Sequence, residues 1–250
     1  MLNNKKVIVC DLDGTLAESK STLSDAMSEV LAKILLKHYL VVVSGGSYKQ
    51  FQKQFLSNFH APTELLKNLF LFPTNGSTCY KYDQEKNDWQ QVYSEPLTEE
   101  ERGTIVRAFK EMMTESGLDF SESYGDIIED RGGQVTFSGK GQNAPLEIKK
   151  VWDPDQTKRK NLVEILAKKI PQFEIRIGGA TSIDVTRKGI DKAYAIEKIK
   201  EILHVTDQDI IYVGDALYKG GNDSAVKKTS VDFIQEDGPK EAIELLQQYT

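Results

Sequence analysis

Two carboxylates, Asp11 and Asp13, stand one residue apart where the apolar run Val7-Ile8-Val9-Cys10 meets Gly14-Thr15. Their equal parity in a strand lets both side chains project to one side where the backbone opens. Anions that close repel each other, and a hard divalent cation with oxygen ligands, Mg2+, would offset the repulsion. Metal-bound carboxylates facing a phosphate suit phosphoryl transfer through an aspartyl-phosphate. Alone, the segment equally describes an Asx turn closing a hairpin.

Further pieces lie elsewhere in the chain. Asp209-Ile210-Ile211-Tyr212-Val213-Gly214-Asp215 is a second hydrophobic run ending in a carboxylate, followed by Gly220-Gly221-Asn222-Asp223. Leu40-Val41-Val42-Val43 ends in Ser44-Gly45-Gly46, and Gly189-Ile190-Asp191-Lys192 opens a helical stretch. A division of labour follows. Asp11 attacks phosphorus, and Asp13 serves as general acid and base. Ser44 and the amides from Gly45 onward hold phosphoryl oxygens, while Lys192 offsets charge on the nucleophile and phosphate. Asp215, Asp11 and the Asp13 carbonyl hold Mg2+, with Asn222 or Asp223 orienting a ligand of the ion. Each piece has an ordinary reading as loop, solvated lysine or cap; the ordered set is much harder to reach by chance.

In that order the residues resemble the four motifs of the haloacid dehalogenase superfamily: Asp11-Leu12-Asp13-Gly14-Thr15, Ser44, Lys192, and Gly214-Asp215 with Asn222-Asp223. A closer resemblance is to the eukaryotic-type phosphomannomutases, carried by Gly178-Gly179-Ala180-Thr181-Ser182-Ile183-Asp184-Val185 leading to Gly189-Ile190-Asp191-Lys192, and by Gly220-Gly221-Asn222-Asp223. The resemblance implies dimerisation through an inserted cap.

These groups need elements to position them. Strand-like runs at 5–11, 40–44, 69–74, 209–213 and 231–235 alternate with helical patterns at 23–38, 47–58, 192–203 and 240–249. The alternation predicts an α/β fold, a doubly wound and mostly parallel sheet with helices on both faces. Ligands of such sheets bind beyond the carboxyl ends of the strands, where Asp11, Ser44 and Asp215 fall. Residues 83–188 read differently, with strands at 88–93, 127–130, 134–137, 173–177 and 182–186, a capping box at 98–101 and a helix at 157–169. That is an α+β cap inserted into a core of 1–82 and 189–250.

A net charge of −6 argues against a general nucleic-acid binder. No apolar run is long enough for a membrane, and residues 1–6 lack a signal-peptide pattern, so a cytoplasmic location is expected. Cys10 and Cys79 read as buried thiols, and His38, His60 and His204 as structural or surface residues. From Arg131 to Arg176 there are ten Lys or Arg against five Asp or Glu, which suits an anionic substrate; Lys158-Arg159-Lys160 and Lys168-Lys169 read as solvated helix charge.

Candidates for gripping the rest of a phosphosugar are Asn75, Arg131, Lys149, Ser182 and Asp184. Arg131, in Glu129-Asp130-Arg131-Gly132-Gly133, matches the first cap arginine of the phosphomannomutases. Gln142 and Lys149 stand where the resemblance implies two more. A neutral amide and a point charge replace guanidinium forks. On that ground the expected activity is a Mg2+-dependent sugar-phosphate phosphatase, with a phosphohexomutase as the alternative and a catalytically silent phosphosugar-binding protein third.

Overall fold

The computed structural model describes residues 4–19 and 21–250; residues 1–3, on which part of the leader reading rests, lie outside them. The chain divides into two compact units, Met1–Ser94 with Asp191–Thr250, and Glu95–Ile190.

The first unit contains seven strands: β1 (Val7–Asp11), β2 (Tyr39–Val43), β3 (Leu69–Phe72), β4 (Thr78–Asp83), β5 (Asp88–Ser94), β10 (Ile210–Gly214) and β11 (Asp232–Gln235). They form one sheet in the order β11-β10-β1-β2-β3-β4-β5. From β11 through β3 the pairing is parallel, and β4 and β5 add an antiparallel edge. All five residues of β1 are buried, as expected for a parallel strand covered on both faces. Ile8 and Cys10 face one layer with α1 (Asp25–Ile34), α2 (Tyr48–Gln54) and α7 (Pro239–Leu246). Val7 and Val9 face the other, with Ala195, Ile196 and Ile199 of α6 (Lys192–Leu203). The doubly wound α/β core is therefore present. The strand at 88–93, expected in the insertion, instead pairs with β4 from Thr78↔Ser94 to Asp83↔Asp88. The polar run between them is a hairpin turn with Asn87 at φ 52°, so the chain leaves the core after Ser94.

The second unit has four strands, β6 (Ile128–Asp130), β7 (Val135–Ser138), β8 (Phe173–Gly178) and β9 (Ser182–Arg187). They form an antiparallel sheet in the order β6-β7-β9-β8, on which α3 (Glu99–Glu115) and α5 (Thr157–Lys169) pack. Val135, Phe137, Ile183 and Val185 meet Ile105, Phe109, Leu162 and Leu166 in its core. The alternate residues Thr136, Ser182, Asp184 and Thr186 turn to the opposite face, as period-two strands require. Thr98 and Glu101 form the expected capping box on α3. A further helix, α4 (Leu146–Trp152), follows Pro145 and was not foreseen.

Candidate active site

β1 ends between β2 and β10, so the carboxyl ends of three parallel strands meet at Asp11, Ser44 and Asp215. The chain runs from β1 to β2 on one side and has β10 on the other, a topological switch point of the kind where such sheets bind ligands. Lys192 is the first residue of α6, whose start is capped by Asp191 Oδ1 accepting from the Ala193 and Tyr194 amides at 2.9 and 3.1 Å. This fixes Lys192 against the end of β1, where its Nζ donates to Asp11 Oδ1 at 2.5 Å and to Asp223 Oδ1. All three side chains are buried. Burial opposes the ammonium, but Asp11 and Asp223 overrule it and hold Lys192 charged above its ordinary range. Burial pushes the Asp11 carboxyl up, against the pull of Lys192.

Asp11, Asp215 and Asp223 each offer a carboxylate oxygen within 4.8 Å of the others. Asp11 Oδ2 is buried and accepts no hydrogen bond among the described residues. Thr15 donates to Asp215 Oδ1 at 3.3 Å, and burial, then the charge of Asp223, lifts the Asp215 carboxyl to about 6. An acidic cluster of hard oxygen donors with an orphaned buried oxygen fits a divalent cation. The backbone is cut to the same fit: Gly14 sits at φ +95°, and a Cβ there would meet Asp215 Oδ2 at 2.5 Å.

One expectation changes. Asp11 and Asp13 do not share a side of one strand, because β1 stops at Asp11 and Asp13 lies in a turn bridged to Ala17. The Asp13 carboxylate lies outside the acidic cluster and accepts from Ser44 Oγ at 3.2 Å and Gln54 Nε2 at 3.1 Å. Asp223 is in the cluster and is held on three sides: by Lys192, by Tyr212 Oη at 2.7 Å, and by the Ala216 amide at 3.0 Å. Sequence reasoning missed Gln54 and Tyr212. Their signal was polarity at apolar places: Gln54 shares the buried face of α2 with Phe51, and Tyr212 stands inside Ile210-Ile211-Tyr212-Val213.

The Ser44 loop is tied to the end of β3. The Ser44 hydroxyl accepts from the Gly46 amide at 3.0 Å, and the amides of Thr74 and Asn75 donate to Gly46 and Ser44 carbonyls, each at 2.9 Å. Gly45 and Asn75 are thus brought to the loop that holds Ser44. Cys10 is buried, and burial with the neighbouring Asp11 charge pushes its thiol up, which suits a packed thiol and not a nucleophile.

In the second unit Arg131 and Lys149 converge on Gln142. Arg131 Nη2 donates to its side-chain oxygen at 3.2 Å and Lys149 Nζ to its carbonyl at 3.0 Å. Arg131 also pairs with Glu129 at 2.7 Å. Ser182 and Asp184 share a face of β9, and Asp184 accepts from Thr136 Oγ1 at 2.8 Å. Arg159, expected to be solvated, is 2 % exposed. It pairs with buried Asp153 at 2.8 Å and donates to the Gly178 and Gly179 carbonyls at 3.0 and 2.7 Å, clamping the turn between β8 and β9. Residues 188–191 lead from β9 straight into α6, with the Ile190 amide bonded to the Arg187 carbonyl at 3.2 Å and its carbonyl to Thr186 Oγ1 at 3.1 Å.

The model of the eukaryotic phosphomannomutase family matches residues 27–245. The chain belongs to that family. Among curated proteins it is 29 % identical over 224 residues to a phosphomannomutase of Schizosaccharomyces pombe, covering 88 % of this chain and 84 % of the relative. It is 28 % identical over 222 residues to that of Saccharomyces cerevisiae, covering 87 % and 83 %. Among solved structures, an IMP-nucleotidase from Plasmodium falciparum superposes with a TM-score of 0.73 at 13 % identity, over 98 % of this chain and 68 % of that one. A haloacid dehalogenase-like hydrolase from Bacteroides thetaiotaomicron does so with a TM-score of 0.59 at 17 % identity, over 98 % and 100 %. At such identities the structures speak to fold alone. The protein is an enzyme of the eukaryotic phosphomannomutase family with a haloacid dehalogenase-like fold. The expectation of a phosphatase is overturned, since the family match and the curated relatives are phosphomannomutases over most of the chain. That expectation weighed Gln142 as a lost anion ligand, whereas the fold gathers Arg131 and Lys149 around it.

Proposed function

We propose that the protein is a phosphohexomutase interconverting the 1- and 6-phosphates of mannose or a related hexose. The observation that carries this reading is the phosphomannomutase match over residues 27–245. The pairing of buried Lys192 with Asp11 agrees with it. Asp11 Oδ attacks phosphorus of a hexose bisphosphate; the new O–P bond forms as the bond to the sugar oxygen breaks, and Asp13 gives that oxygen its proton. The released monophosphate turns, presents its other hydroxyl, loses that proton to Asp13 and takes the phosphoryl group back. Ser44 and the loop amides hold phosphoryl oxygens, and Lys192 offsets charge on Asp11. Asp11, Asp215 and Asp223 would hold Mg2+, with the Asp13 carbonyl and Asn222 nearby in sequence as further oxygen donors. When bound, the ion offsets the charge of phosphate and carboxylates.

In the inserted cap, Arg131, Lys149, Ser182 and Asp184 recognise the non-reacting end of the substrate, and Asn75 contributes a contact from the core. Exclusion of water is what separates transfer to a sugar from loss of phosphate. The test is phosphorus NMR of the purified protein with Mg2+ and mannose 1-phosphate, with and without catalytic glucose 1,6-bisphosphate. Mannose 6-phosphate that accumulates only with the bisphosphate is expected. Inorganic phosphate as the sole product would overturn the reading.

A further inference from the structure

After β3 the chain turns through Pro73-Thr74-Asn75-Gly76, and three successive residues of that turn have left-handed backbones: Thr74 at φ 51°, Asn75 at 56° and Gly76 at 87°. Asparagine and glycine visit this region readily; a β-branched residue there is strained, because its Cβ crowds the backbone. A glycine at 74 would make the same turn without that cost. Thr74 is held in it by its own side chain. Its buried hydroxyl shares a hydrogen bond with the Ser77 hydroxyl and lies 3.5 Å from that of Thr78, both of them buried. Strain that persists at a position where glycine would relieve it is over-determined by its surroundings and marks a functional segment.

The turn stands between two parts of the site. On one side the Thr74 and Asn75 amides donate to the Gly46 and Ser44 carbonyls, each at 2.9 Å. On the other, Gly76 lies against the first turn of α6, where a Cβ would meet Ala195 Cβ at 2.7 Å. Tyr93 Oη donates to the Gly76 carbonyl at 2.6 Å and closes the turn from β5. The φ of Thr74 sets the direction of its own amide relative to that of Asn75. A Thr74 relaxed to negative φ could not send one amide to Gly46 and the next to Ser44.

We infer that Thr74 is a positioning residue for phosphoryl transfer: its hydroxyl locks a left-handed backbone whose amides set the Ser44 loop where that loop takes phosphoryl oxygens. The inference rests on the proposed part of Ser44 and the loop amides in holding the phosphoryl group. Its test compares Thr74→Ala, Thr74→Gly and Thr74→Ser with the unsubstituted protein, each shown to be folded by circular dichroism. Two quantities are read: the rate of labelling by radiolabelled acetyl phosphate with Mg2+, and deuterium exchange over residues 73–79. Alanine lacks the hydroxyl and resists positive φ, so the segment should exchange faster and labelling should slow about 10- to 100-fold. Glycine lacks the hydroxyl too but adopts positive φ freely, and Thr74→Gly should recover most of the rate. Thr74→Ser keeps the hydroxyl and should match the parent. A packing role predicts the reverse order, with glycine, the smaller side chain, the worse of the two. Labelling at the parent rate in Thr74→Ala overturns the inference, and so does a loss in Thr74→Gly as deep as that in Thr74→Ala. Should the alanine variant not fold, a Thr74→Gly rate far below that of Thr74→Ser overturns it instead. No label on the unsubstituted protein would strike down the phosphoryl-transfer reading, whereas unchanged exchange in Thr74→Ala strikes down the lock alone.

Discussion

Tyr212 Oη donates a 2.7 Å hydrogen bond to Asp223, the carboxylate that also grips Lys192. The phenol is fully buried on β10, and burial together with the charge of Asp223 holds its proton in place. Tyr212 thus braces Asp223, the partner of Lys192, and in the proposed mechanism would act as a positioning residue.

Tyr212→Phe should cost about 1 kcal/mol of stability, the net worth of one hydrogen bond. It should lower kcat several-fold to about tenfold while KM stays unchanged, because Lys192 loses the brace on its partner and the cap is untouched. Steady-state kinetics beside urea denaturation check it; a change confined to KM would refute the assignment.

Gln54→Leu removes the amide that donates to Asp13 Oδ1 at 3.1 Å. A general acid released from its orientation should lose about 10- to 100-fold in kcat. Formation of the phosphorylated enzyme from acetyl phosphate, whose leaving group needs little protonation, should fall far less. Equal losses in both assays would show that Gln54 serves the fold alone.

Arg159→Met leaves the Asp153 carboxylate buried without its partner. Breaking such a pair costs about 3–5 kcal/mol, and the clamp on the Gly178 and Gly179 carbonyls goes with it. Urea denaturation should show that drop, and Asp153→Asn in the same chain should restore part of it, since the stranded charge is then gone.

Glu101 accepts two bonds from Arg187, at 2.8 and 2.6 Å, which hold its carboxyl at about 2, below the ordinary 4.5. A lowered folded-state value means that the contribution to stability is complete above pH 4.5 and disappears as the pH falls toward 2. Thermal unfolding of wild type and Glu101→Gln, which keeps the capping-box acceptor, should differ at about pH 7 and converge near pH 2. A gap that persists at the acid end would assign the effect to packing. The pair is partly exposed, so the gap at neutral pH is expected to be small and to shrink with salt.

What the sequence disclosed and what it withheld divide along physical lines. Asp11, Asp13, Ser44, Lys192 and Asp215 were legible because packing alone seldom puts a polar group at the carboxyl end of an apolar run or at the first turn of the helix that follows. The β4–β5 hairpin was assigned to the wrong unit because a strand carries no sign of its neighbour. Arg159 looked solvated because its partner Asp153 sits six residues away across Pro154, where no helical spacing connects them. Gln54 and Tyr212 were hidden by strength of context, a single polar atom in a run whose other members all report core. Whether the enzyme moves phosphate to water or to sugar was illegible on different grounds: both outcomes use one set of core residues, and the family match, not the site, separated them.

The short stretch 188–191 ends one job and begins another. Ile190 is bonded to Thr186 and Arg187 at the end of β9, and Asp191 is the cap of the helix that starts at Lys192. Asp191 decides where α6 begins: its carboxylate takes the Ala193 and Tyr194 amides, so Lys192 is seated as the first helical residue, and a side chain that could not cap there would let that turn fray and the ammonium drift from Asp11.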